Sequence, residues 1–164
     1  MIELIVLDVD GTMTDGSIIY TQEGSEIKTF NVKDGLGIAL WHKLGKKTAI
    51  ITGRESTILT QRAKELNITI LKQGARNKAK ILKEVLQELG LKVNQVAIIG
   101  DDLNDLPMLR EVKYSFAPKD CAKEVKKMVY RVLKAKGGKG AVREMIDFLI
   151  QKEQLSARVN EIFS

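Results

Sequence analysis

The apolar residues of this chain fall into short runs separated by turn residues, and the period of each run identifies an element. Ile2 to Leu7 is broken only by Glu3, and Glu3 to Val9 predicts a strand covered on both faces, as in a parallel sheet between helices. KKTAIIT, ITILK and QVAIIG predict three more buried strands, and YSFA and VYRVL a fifth and a short sixth. Between them the spacing becomes helical. Asp34 is expected to cap a helix to about Leu44 that Gly45 stops. Helices are also expected from Ser56 to Leu66, from Asn77 to Leu89 with Gly90 closing it, and briefly near Pro107. One more starts at about Asp120, and a long terminal helix runs from Ala141 after the loop GGKG. From Ser17 to Phe30 the pattern changes: SIIYT and EIKTF alternate on either side of QEGS, which predicts a hairpin.

Strands alternating with helices imply a three-layer, Rossmann-like α/β fold: a parallel sheet, helices on both faces, right-handed crossovers. The hairpin is an insertion at residues 17–31 after the first strand. No repeat, low-complexity tract or linker divides the chain, so residues 1–164 are expected to form a single domain.

Composition narrows the chemistry. The 164 residues are 44% apolar and 29% charged, a globular balance that can bury a core without disulfides. No apolar run approaches the roughly 20 residues of a membrane span, and MIELIVLD carries no basic leader. A single cysteine, Cys121, excludes an internal disulfide and suits a reducing cytoplasm, and with His42 the only histidine a zinc site is disfavoured. The formal charge of +6 draws on Lys123, Lys126, Lys127, Arg131, Lys134, Lys136 and Lys139. These sit at helix-like spacing with few aromatics, which indicates a solvated face rather than a nucleic-acid surface, and a small anionic substrate suits the charge as well.

In such a sheet ligands bind outside the carboxyl ends of the strands. The first strand ends in Asp8 and Asp10, with Asp15 beyond. The second ends in Thr52-Gly53-Arg54, the third leads to Lys78, and the fourth ends in Asp101-Asp102 with Asp105 a turn later. Crowded carboxylates raise one another's pKa unless a cation is present. Oxygen donors without His or Cys point to a hard metal, and few ligands with room for water favour Mg²⁺. DVDGTMTDG is not an EF-hand loop, because its twelfth position is Ile19. Gly35-x-Gly37 lacks a third glycine, and no nucleotide-binding G-x-x-x-x-G-K-[ST] occurs. A carboxylate nucleophile, a hydroxyl, a lysine and a metal form a phosphoryl-transfer set. Asp8 is placed to attack phosphorus and Asp10 to handle the proton, while Thr52 and Lys78 neutralise phosphoryl oxygens. Lys33 and Arg54 are candidates for a substrate's carboxylate or hydroxyls.

DVDGTMTDG, ITGR, Lys78 and GDDLND, in that order, resemble the four motifs of the haloacid dehalogenase superfamily. TDGSIIY, FNVKDGLGI, AIITGR, GDDLNDLPML and GGKGAVREMIDFLI extend the likeness over nearly the whole chain, to the cap-less 3-deoxy-D-manno-octulosonate 8-phosphate phosphatase family. The resemblance implies Asp8 as nucleophile and Asp10 as acid/base. It implies Mg²⁺ on Asp8, the Asp10 carbonyl and Asp101; phosphate on Thr52, Gly53 and Lys78; and support from Asp102 and Asp105. It further implies a homotetramer joined through hairpins and acting on a small phosphorylated sugar acid, while composition and charge pattern lead us to expect a cytoplasmic protein with neither nucleic acid nor membrane as partner.

Other readings stay open on the residues. A nine-carbon, sialic-acid-type phosphate needs only small changes at the rim. A receiver-type phospho-acceptor also gathers acids, Thr and Lys at strand ends, but in another chain order and without a counterpart of Asp10. A catalytically idle binding domain, docked on a sugar-nucleotide synthetase for example, conflicts with the intact Asp8, Asp10, Lys78 and Asp101.

Overall fold

The computed structural model of residues 1–164 is built on a six-stranded parallel sheet. In chain order its strands are β1 (Leu4–Leu7), β4 (Lys47–Ile51), β5 (Ile70–Lys72), β6 (Val96–Ile99), β7 (Tyr114–Ala117) and β8 (Arg131–Val132). The remaining two, β2 (Ile19–Tyr20) and β3 (Glu26–Ile27), form a separate antiparallel hairpin. The sheet order is β5-β4-β1-β6-β7-β8. The chain therefore winds outward from β1 through β4 and β5, returns, and winds the other way through β6, β7 and β8. The connections after β1 and β6 diverge between neighbouring strands, which opens a crevice at their carboxyl ends.

The pleat explains why these strands read as continuous apolar runs. Successive side chains point to opposite faces, and both faces are covered. Ile5, Leu7, Ile50, Ala97 and Ile99 enter one core with the helices α1 (Val32–Lys43), α2 (Thr57–Glu65) and α6 (Ala141–Lys152). Leu4, Val6, Ala49, Ile51, Val96 and Ile98 enter the other, with α3 (Lys78–Leu89), α4 (Leu106–Leu109) and α5 (Lys123–Met128). Trp41 of α1 is fully buried and its indole donates to the Lys47 carbonyl at 3.0 Å, so its one polar atom is satisfied. His42 meets Thr48 at 2.8 Å, a structural contact.

Three boundaries differ from the sequence reading. Asn31, not Asp34, caps α1: its side chain accepts from the backbone N–H of Lys33 and Asp34. Asp34 lies in the first turn, buried, where its Oδ1 accepts from the Arg143 N–H at 2.8 Å and so serves the start of α6. Gly140, at the head of α6, has no side chain to do this. The helix expected from Asp120 begins at Lys123. The terminal helix breaks after Lys152 and resumes as α7 (Ser156–Phe163), with Gln154 left-handed at φ 58° and Leu155 turned into the core.

Candidate active site

Asp8 is the first residue beyond β1, and its N–H still donates to the Ile99 carbonyl at 3.1 Å, so the sheet itself fixes its backbone. Asp101 lies two residues past the end of β6, one further along than Asp8 past β1, across the crevice. The chain after Asp8 must run close beneath Asp101, and Gly11 permits this. Its φ is +92°, and a Cβ there would lie 2.0 Å from Asp101 Oδ2. Gly100 has the same function on the other side, where a Cβ would lie 2.6 Å from Asp105 Cγ.

Lys78 enters from the first residue of α3, which Asn77 caps. Its ammonium lies 2.6 Å from Asp8 Oδ1 and 2.5 Å from Asp105 Oδ1, and all three side chains are buried. The other oxygen of Asp105 accepts from the N–H groups of Asp101 at 2.8 Å and Asp102 at 3.2 Å. Asp105 is thus fully engaged in shaping the turn and holding the lysine. Thr12 donates to Asp101 Oδ1 at 3.4 Å.

The electrostatics follow from burial. Loss of water, reinforced by the charge of Asp105 and only partly offset by Lys78, raises the Asp8 pKa well above the usual carboxylate range. Loss of water and then Asp105 raise Asp101 to about 6. Burial alone lowers the pKa of Lys78, but Asp8 and Asp105 outweigh it and the net shift is upward. The carboxylate oxygens of Asp8, Asp101 and Asp105 come within 4.8 Å of one another, with one ammonium among them. Fully ionised, this cluster carries two negative charges in excess. A divalent cation with a preference for oxygen fits that deficit and that donor set.

A cleft of about 200 Å³ opens over Asp8, lined by Asp8, Asp10, Thr52, Gly53, Arg54, Asp102 and Asn104. Every lining residue is polar or glycine, which suits a charged, hydroxylated ligand. A larger hollow, about 350 Å³, lies between the hairpin and α2 but contains none of the acids. Thr52 is buried at the end of β4, and its N–H donates to Lys72. Asp102 caps the turn Leu103–Asp105 and is exposed on the cleft wall. Lys78 lies behind Asp8 rather than in the wall. Lys33 is exposed on the first turn of α1 and does not line the cleft.

On the hairpin side, Lys28 lies 2.5 Å from Asp10 and 3.3 Å from Glu26, while Arg54 reaches Glu26 at 2.7 Å and Asp10 at 4.0 Å. Lys28, Glu26 and Asn104 are site residues that the sequence reading passed over. The signal for the first two is the alternation in SEIKTF, where Glu26 and Lys28 share the face opposite Ile27.

A family model for haloacid dehalogenase-like hydrolases matches residues 56–146. The chain is 38% identical over 156 residues to the 3-deoxy-D-manno-octulosonate 8-phosphate phosphatase of Haemophilus influenzae, covering 95% of this chain and 87% of that protein. Among solved structures it is similar to the same-named phosphatase of Moraxella catarrhalis, in complex with a magnesium ion, a phosphate ion and a KDO molecule. There the TM-score is 0.95 at 36% identity, over 99% of this chain and 94% of that one. The cobalt-bound H. influenzae phosphatase gives a TM-score of 0.88 at 39% identity, over 92% and 88% of the two chains.

Proposed function

The chain belongs to the haloacid dehalogenase-like hydrolases, in their 3-deoxy-D-manno-octulosonate 8-phosphate phosphatase family, and on that premise we propose its reaction and its working residues. It is a magnesium-dependent phosphoric monoester hydrolase that converts 3-deoxy-D-manno-octulosonate 8-phosphate to the free sugar acid and phosphate through an aspartyl-phosphate. The observation that carries the site assignment is the buried Asp8–Lys78–Asp105 cluster, short of positive charge, opening on an all-polar cleft.

In our reading Asp8 attacks phosphorus in line with the leaving oxygen, and Asp10 gives that oxygen its proton. Asp10, now ionised, then takes a proton from the water that attacks the aspartyl-phosphate, and Asp8 is regenerated. Esterification removes the charge of Asp8, which releases Lys78 from half of its pairing and leaves its ammonium for the phosphoryl oxygens. Thr52 and Gly53 bind the same oxygens from the end of β4. Asp8, Asp101 and the Asp10 carbonyl would hold the divalent cation, which supplies positive charge to the transferring group. Asp105 and Asp102 shape the turn that presents Asp101. Arg54 faces the outer part of the cleft, suited to the carboxylate or hydroxyls of the sugar acid; Lys33 would serve only from outside the cleft.

We also propose that residues 1–164 act as one cytoplasmic phosphatase domain assembled as a homotetramer. No helix is long and apolar enough to cross a membrane. The two-residue strands of the hairpin pair only with each other, and Ile18, Ile19, Tyr20 and Ile27 are each more than 40% exposed. A lone hairpin is marginal in water, and hairpins from several copies would cover these side chains.

The test is phosphate release with Mg²⁺ from a panel of phosphorylated sugar acids that includes a nine-carbon 9-phosphate. The octulosonate 8-phosphate is expected to have the highest kcat/KM. No release from it would overturn the assignment.

A further inference from the structure

Lys28 has a relation to Asp10 that the reaction scheme above leaves unused. Its side chain is 2% exposed, and an ammonium held so far from water requires anionic partners. It has two, Asp10 at 2.5 Å and Glu26 at 3.3 Å. Glu26 keeps the ammonium paired while Asp10 carries its proton and accepts from Lys28 through Oδ1 alone. Conversely, Lys28 Nζ is the group that donates a hydrogen bond to the Asp10 carboxylate. Arg54 stays 4.0 Å from that carboxylate and directs its own hydrogen bond to Glu26. Asp10, Lys28, Glu26 and Arg54 therefore alternate in sign around the cleft mouth. Two of the four contacts, Lys28 to Asp10 and Arg54 to Glu26, cross from the hairpin to the body of the protein. The hairpin pairs with no other strand, so these charges and the packing of Phe30 against the core are what seat it.

We propose that Lys28 is a positioning residue for proton transfer: carried by the hairpin, its ammonium fixes the Asp10 carboxyl group over the cleft, so that the seating of the hairpin governs proton delivery to the leaving oxygen. The inference rests on the phosphatase reading, in which Asp10 is the acid. As the bond from Asp8 to phosphorus forms, the bond from phosphorus to the leaving oxygen breaks. Its electron pair stays on that oxygen, which takes the proton of Asp10. The resulting carboxylate remains paired with Lys28 and so keeps its place for the incoming water.

The proposal separates substrates by how much their leaving group needs a proton. A sugar alkoxide needs one; p-nitrophenolate leaves without it. Lys28→Met should lower kcat/KM for the octulosonate 8-phosphate by about 10- to 100-fold, the range expected for a displaced general acid. For p-nitrophenyl phosphate the loss should stay below about threefold, because general acid catalysis contributes little there. Lys28→Arg should recover part of the loss. Lys28→Gln carries the same comparison if the methionine variant does not fold. In an Asp10→Asn background, Lys28→Met should add less than about twofold, since the two residues act through one group. Equal losses on both substrates, or an undiminished loss in the Asp10→Asn background, would overturn the role of Lys28 and leave the phosphatase reading intact. Wild-type protein that releases phosphate from neither substrate would overturn both.

Discussion

Two aspartate–lysine pairs face each other across this site, and they are built differently. Asp8 and Lys78 sit on a strand end and the first turn of a twelve-residue helix, both buried, with Asp105 completing the contact. Asp10 and Lys28 sit on the loop after β1 and on a hairpin whose strands have two residues each, with the Asp10 side chain 22% exposed. The proposed chemistry asks different things of the two. In-line attack on phosphorus tolerates little displacement, so its groups belong on rigid elements. Proton transfer needs a group that meets the leaving oxygen in one half-reaction and the attacking water in the next, and a rim of low local stability allows that.

The largest effects should distinguish the pairs by what breaks. Asp8→Asn should abolish turnover, a loss on the order of 10⁴-fold or more, because an amide cannot form the ester. Substantial residual phosphate release would remove Asp8 from the nucleophile role. Lys78→Met leaves Asp8 and Asp105 buried without their cation and should cost about 3–5 kcal/mol of stability. Lys28→Met should cost less, since Asp10 can turn toward water. Urea denaturation of both variants gives the comparison, and equal costs would erase the distinction between a rigid and a yielding pair.

Metal removal acts on the rigid side. EDTA should eliminate activity and Mg²⁺ restore it, while Ca²⁺, with its looser coordination, should substitute poorly. A readout independent of turnover follows from the excess charge around Asp8. Mg²⁺ at 100 times its Kd should stabilise the fold by about 2.7 kcal/mol, seen as a higher melting temperature. Asp101→Asn should lose most of that gain, whereas Lys28→Met should keep it.

The yielding side is open to a cruder test. A hairpin-deleted chain should sediment as a monomer and lose preference for the sugar acid, yet retain weak hydrolysis of aryl phosphates, whose leaving groups need no proton. A wild-type chain that sediments as a single 18.3 kDa species with full activity would refute the proposed assembly.

The difference between the pairs also explains what was legible in the sequence. Asp8, Thr52, Lys78 and Asp101 lie where an apolar run ends or a capped helix begins, and such punctuation survives in one dimension. The sheet, its helices and the hairpin were legible for the same reason. Lys28 and Glu26 lie inside an alternating segment where the apolar partner, Ile27, drew attention to the outer face, and nothing local says that the inner face meets Asp10. Asp34 is comparable. Helix-start chemistry fits it as well as Asn31, and only the long-range approach of α6 shows that Asp34 serves a different helix. The break at Gln154 had no glycine or proline to announce it.

Asp34 yields the smallest prediction, and it bears on how the rigid side is buttressed. Asn31 Nδ2 donates to the Gly138 carbonyl, and the Gly138 N–H donates to the Thr12 carbonyl at 3.0 Å, directly under the loop that follows Asp8. Asp34 anchors the neighbouring start of α6, but at an electrostatic cost: its Oδ2 is buried without a partner. Burial raises its pKa to about 6, against the opposing pull of the Arg143 and Gly140 N–H groups and the Arg143 and Arg62 guanidinia. The unfolded value is 3.8, so the folded state binds the extra proton between these limits. The penalty of ionisation is therefore present above about pH 6 and is relieved as the pH falls toward 4. Between pH 7.5 and pH 5 this group alone should add about 1.4 kcal/mol to stability. Asn accepts the same N–H but does not titrate, and every other group is common to both proteins. The stability of wild type relative to Asp34→Asn, from urea midpoints at the two pH values, should therefore rise by about 1.4 kcal/mol on acidification. A difference that does not move with pH would mean that Asp34 keeps an ordinary carboxylate's affinity for its proton, and that the clamp under the Asp8 loop is held without electrostatic cost.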